Sequence, residues 1–217
     1  MKTISIKGVG KARRNPDLVI FKISTSTRRK EYSQSIDASN MLVNDLKRDF
    51  EEMGFPKDDF KTVSFNTRPI YQRVEVGLVN KTHRMELECF EVSHDLKIEF
   101  DLDNDRINEV LKCLKGFGDE VQFAIDFSVK DKQSMKRDVI VDATKTARFN
   151  AEVLCEASSV ELGDLIKIEY NWVDFNFYSR SYYDVNANCM CDCDEYMEFN
   201  PDTIEISDSV SFVWEIR

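Results

Sequence analysis

A chain of 217 residues with 42% hydrophobic and 32% charged residues, seven Gly and four Pro is long enough to bury a core, which excludes a disordered or fibrous chain. Its net charge of −10 argues against general binding to nucleic-acid backbones or anionic membranes. No stretch approaches the ~18 uninterrupted apolar residues of a membrane span.

In chain order, Ile4 and Ile6 begin a strand that ends at Gly8-Val9-Gly10. A second strand follows Asn15-Pro16-Asp17; Leu18, Val19, Ile20 and Phe21 place apolar groups on both of its faces, so it is expected to be central. Val43, Leu46, Phe50 and Met53 form one stripe of a helix over 33–53, closed by Gly54. Val63, Phe65, Thr67, Pro69 and Tyr71 alternate along a long strand, and the chain turns at 77–83 to return through Met85, Leu87 and Cys89. The apolar parity then flips to Phe90, Val92, Leu96, Ile98 and Phe100, which predicts a β-bulge near Cys89-Phe90.

A second helix over 103–116 rests on Ile107, Val110, Leu111 and Leu114, with Asp103 to Asp105 as its cap. The same acids do not form a calcium loop, because that template needs Gly and a bidentate acid where Arg106 and Lys112 stand. After a strand through Val121 to Val129 comes a third helix over 131–158. Its face of Ile140, Ala143, Ala147, Ala151 and Leu154 is small enough for close approach to a sheet or helix. Two strands remain, one through Ile166, Ile168, Tyr170 and Trp172, the other through Ile204, Ile206, Val210, Phe212, Trp214 and Ile216. The expected fold is α+β: an antiparallel sheet with long hairpin strands, helices packed on one face, and two topologically similar halves within a single domain over 1–217.

Between the last two strands, 174–201 is expected to be a long irregular loop, and such loops are usually functional. Phe175, Phe177, Tyr178, Arg180, Tyr182 and Tyr183 are the residue types of interaction hot spots, and they equally suit a lid folded over the core. Cys189, Cys191 and Cys193 project to one side of an extended segment and could hold Zn²⁺ or Cu⁺. Their spacing is not that of a zinc knuckle, and the neighbouring Asp192, Asp194 and Glu195 raise thiol pKa values, so an inert or redox-labile loop is the other reading. From 181 to 216 there are nine acidic residues and no Lys or Arg, an anionic surface. Six Cys and an opening that alternates at once, without an apolar signal core, point to reduced thiols in the cytoplasm. His83 and His94 are too few to build a catalytic pairing by sequence, and no catalytic residue or cofactor is assigned.

Several segments, in this order, resemble the SIMPL-domain family of bacterial proteins. These are Ile6-Lys7-Gly8-Val9-Gly10 with Asn15-Pro16-Asp17, the strand from Asp59 through Phe65 to Tyr71, the Ala-rich helix at Ala143, Ala147 and Ala151, and the closing Ile204 to Phe212. The resemblance spans nearly the whole chain and implies an α+β fold, often exported relatives, and in some members large ring-like homo-oligomers. It implies no common reaction. The expected function is therefore a non-enzymatic, self-associating binding or scaffold protein with an unknown ligand, the alternative being a thiol-based metal or redox sensor.

Overall fold

The computed structural model describes residues 2–76, 82–171, 174–179, 183–185 and 196–217, with the backbone alone described at 75, 76, 82 and 183–185. The chain forms β1 (Lys2–Arg14), β2 (Leu18–Arg29), α1 (Tyr32–Glu52), β3 (Lys61–Val76), β4 (Thr82–Asp101) and α2 (Asn104–Lys115). It continues through β5 (Val121–Ser128), α3 (Lys132–Ala157), β6 (Leu162–Glu169), β7 (Tyr183–Val185) and β8 (Ile204–Ile216). The strands are antiparallel, as their alternation predicts, and they divide between two sheets, β1-β8-β6 and β3-β4-β2-β5-β7. Two compact units result: Met1–Asp17 with Phe127–Ser181 and Pro201–Arg217, and Leu18–Asp126 with Tyr182–Asn200.

In the first unit the ends of the chain pair with each other, Lys2 opposite Ile216 through Arg14 opposite Ile204, without a register break. Helix α3 lies on this sheet. Its buried stripe is Met135, Val139, Ala143, Ala147, Ala151 and Cys155, a strict spacing of four. The expected Ile140 is only half-buried, and Leu154 is 47% exposed, because the stripe turns toward Val139 and Cys155 to meet Val210, Phe212 and Trp214. The small residues do what their size predicts. A Cβ on Gly8 would stand 2.0 Å from the Ala143 carbonyl oxygen, and one on Gly10 would stand 2.1 Å from that of Val139. The two glycines let the helix backbone sit directly on the strand. Asp131 caps α3 by accepting from the Ser134 N–H at 2.8 Å. The far end closes with Ser159 at φ 56°, the Val160 N–H donating to the Cys155 carbonyl at 3.0 Å.

In the second unit β2 is central, flanked by β4 and β5, and its Val19, Ile20, Phe21 and Ile23 are buried. Helices α1 and α2 bury Val43, Leu46 and Phe50, and Ile107, Val110, Leu111 and Leu114. At the start of α1, Ser35 is buried because its Oγ accepts from the Arg29 N–H at 3.1 Å and donates to the Phe90 carbonyl at 2.9 Å. The helix ends in a reciprocal cap, Gly54 at φ 84°, with the Phe55 N–H on the Phe50 carbonyl and the two rings 5.4 Å apart. The predicted bulge is present: Ile70 pairs with Cys89 but Tyr71 with Leu87, leaving Glu88 as the extra residue. A second, compensating register shift leaves Val63 extra on β3. The two shifts cancel along β3, and β4 keeps one unbroken register against β2 from Leu18–Asp101 to Arg29–Phe90.

Candidate binding surfaces

The bulges align three rows of polar side chains across β2, β4 and β3 of the second unit. Arg28 and Arg68 both stand opposite Glu91, Ser26 and Asn66 opposite Ser93, and Ser24 and Ser64 opposite Asp95. Glu91 is only 5% exposed, and it is held by Arg28 Nη2 at 2.6 Å and Arg68 Nε at 2.5 Å, with Ser26 Oγ donating to it at 3.2 Å. The hydrogen bond from Arg28, reinforced by Arg68, holds the Glu91 carboxyl below the ordinary range against the opposing effect of burial. The hydroxyls of Ser24 and Ser64 donate to the two oxygens of Asp95 at 2.7 and 2.5 Å, which lowers its pKa as well, Ser64 contributing most. A fourth row follows, where Lys22 and Lys61 stand opposite Lys97. There Lys61, Lys97, Asp59 and Glu99 line a 110 Å³ pocket.

The other side of β4 holds His94, its ring 4.5 Å from that of Phe65. Its Nδ1 is buried with no hydrogen-bond partner among the described residues. Desolvation, and then Lys47 of α1, push its pKa down.

Past the last β2–β4 pair, Arg29 with Phe90, strands β3 and β4 run on from Ile70–Cys89 to Val76–Thr82, paired among the described residues only with each other. Opposed Tyr71 and Leu87, and Met85 beyond them, lie on one side of this ribbon at 54%, 47% and 61% exposure.

The aromatic segment is divided. Phe177 is 7% exposed and belongs to the core of the first unit with Val129, Met135, Val139, Ile204 and Ile206, and Phe175 packs against that cluster. The Ser128 hydroxyl donates to the Phe177 carbonyl at 2.9 Å, and the Ser179 N–H to that of Phe127 at 2.8 Å. Tyr178 is 42% exposed. Arg180 and Tyr182, and the side chain of Tyr183, lie outside the described residues, as do Cys189, Cys191 and Cys193. Among the described residues no group of three His, Cys, Asp or Glu could hold a metal. Cys89, Cys113 and Cys155 are free, and burial pushes the Cys113 thiol up to about 11.

Within 174–201 the structure places β7 against Phe123 to Ile125. It also shows a device the sequence reading missed. Asn108 on α2 accepts from the Met197 N–H at 2.9 Å and donates to the Met197 carbonyl at 2.8 Å. One turn earlier Asn104 does the same to Phe199, at 3.0 and 3.3 Å. Asn at i and i+4 on one helix face is the only local signal of this clamp.

Among the described residues this is an α+β architecture of two antiparallel sheets with three α-helices, whose glycine-bearing first strand receives an alanine-striped helix. The chain belongs to the SIMPL family, described as protein of unknown function (DUF541), whose family model matches residues 4–214. No curated protein matches it. Among the described residues no helix is long and apolar enough to cross a membrane.

Proposed function

We propose that this chain is a non-enzymatic, self-associating binding protein of the SIMPL type. The observation that carries the reading is the two-stranded ribbon beyond Arg29 and Phe90, with Tyr71, Met85 and Leu87 exposed together on one side. A two-stranded ribbon is marginally stable alone in water, and clustered exposed apolar groups mark contact surfaces. A second copy docks on this face. The segment of Phe175, Tyr178, Arg180, Tyr182 and Tyr183 is proposed as a further contact, on the strength of its Tyr and Arg content.

Native mass by size exclusion with light scattering, in reducing buffer, tests this. A defined multiple of 25.3 kDa is expected, reduced by Tyr71→Lys with Leu87→Lys and weakened by Tyr182→Ala with Tyr183→Ala. A wild-type monomer refutes the proposal.

A further inference from the structure

The polar rows of β2, β4 and β3 are built from residues that strands disfavour. At the six positions of the two middle rows stand Ser24, Ser26, Ser64, Asn66, Ser93 and Asp95. Ser, Asn and Asp stabilise a strand less than the Thr, Val or Tyr that an exposed face accepts. A run of such choices across three adjacent strands forgoes stability in one place, the pattern expected of a site.

The donors and acceptors there are also oriented. The Ser24, Ser64 and Ser26 hydroxyl protons are committed to Asp95 and Glu91, which leaves the oxygen lone pairs for a ligand to donate to. At one end of the tract two guanidiniums share one carboxylate. Arg68 engages Glu91 through Nε, so its terminal nitrogens keep N–H donors in the planar fork that suits a carboxylate or phosphate. Both Arg side chains are mostly exposed. From Arg28 to Lys22 the tract is about 20 Å long, at roughly 3.3 Å per residue, and three strands make it about 10 Å wide.

We infer that this face of the second unit binds a polyhydroxylated anion, a sugar acid or sugar phosphate. Its charged group sits on Arg28 and Arg68, and its hydroxyls donate to the serine rows. The site does not depend on self-association, since all its residues come from one chain, so a monomeric protein still binds.

The test is calorimetric titration of the whole chain at low ionic strength with trigalacturonate, glucose 6-phosphate, glucose and inorganic phosphate. Saturable binding of the uronate, the sugar phosphate or both is expected, and which of them binds tells carboxylate from phosphate recognition. Glucose and inorganic phosphate are each expected to bind at least ~10-fold more weakly. Arg28→Gln with Arg68→Gln is expected to weaken binding ~10-fold or more. Ser93→Val, which removes no hydrogen bond to Glu91 or Asp95, is expected to weaken it while raising the thermal midpoint, because Val is the better strand former. A purely structural role for the serines predicts no such opposition. The inference is overturned if neither hydroxylated anion saturates, if inorganic phosphate binds as well as they do, or if Ser93→Val binds like wild type.

Discussion

Replacing Gly8 by Ala tests the closest contact in the first unit. The new Cβ would lie 2.0 Å from the Ala143 carbonyl oxygen, 2.7 Å from Ala147 Cβ and 2.8 Å from Ala147 N, whereas ordinary contact begins at 3.4 Å. Helix α3 would have to retreat by about 1.4 Å, the difference between 3.4 and 2.0 Å. A gap of even 0.5–1 Å forfeits roughly a quarter to a half of each dispersion contact. The retreat would unseat the fully buried Ala143, Ala147 and Ala151 from Val210, Phe212 and Trp214 together. Overpacking of this kind costs about 3 kcal/mol, at the upper end of the usual range, because the obstructing atoms are backbone. At roughly 2–4 °C per kcal/mol for a chain of this size, the thermal midpoint should fall by about 6–12 °C. Gly54→Ala provides the contrast. Its φ is 84° but nothing lies within 4 Å of the added Cβ, so only the conformational term of about 1–2 kcal/mol applies. Urea unfolding of the two variants measures the difference. Adding Ala147→Gly to Gly8→Ala should not rescue it, since the nearest clash is with a carbonyl. A Gly8→Ala loss no larger than that of Gly54→Ala, or rescue by Ala147→Gly, would refute the close-packing argument.

Three further outcomes are expected. Asn108→Ala removes both hydrogen bonds to the Met197 peptide, and should cost about 1–3 kcal/mol and speed limited proteolysis near Met197; unchanged cleavage would mean that the clamp does not hold the segment. The His94 pKa is lowered, so the unfolded chain binds its proton first, and stability should be full above about pH 6.5 and decline as pH falls below it. His94→Phe should flatten the change in urea midpoint between pH 7.5 and 5.5, and a variant as pH-dependent as wild type would contradict this. Ser159→Gly relieves a non-glycine residue at φ 56° and should stabilise by about 1 kcal/mol, read as a higher thermal midpoint.

Glu91 and Asp95 make the stability of the second unit sensitive to acid. Both carboxyls are held below their ordinary values, so their contribution is present above about pH 4.5 and is lost as pH falls through the lowered values. Because Glu91 and Asp95 also orient the serine hydroxyls of the polar tract, acid should weaken ligand binding and stability together.

The amino-acid sequence by itself determined the elements. Helix limits followed from local signals: Asp103 as a cap, Gly54 after the last turn, and apolar spacing of three and four, all of which act within a few residues. The central place of β2 was legible in its two-sided apolar start, and the Glu88 bulge in the parity flip that follows it. The alanine stripe announced a close contact without saying with which element, and Gly8 and Gly10 read as the end of the first strand, whereas that strand runs on to Arg14 and the glycines mark where the helix sits on it. Only the tertiary structure decided that α3 meets β1, because a helix face does not encode its partner. The pairing of β1 with β8, residues 2–14 against 204–216, likewise depends on contacts far apart in the chain. The polar tract was illegible for a related reason. Along one strand, Ser24 and Ser26 read as an ordinary solvent face. They become part of a patch when two compensating bulges bring Ser64, Asn66 and Arg68 into register with Glu91, Ser93 and Asp95, and register is a property of paired strands.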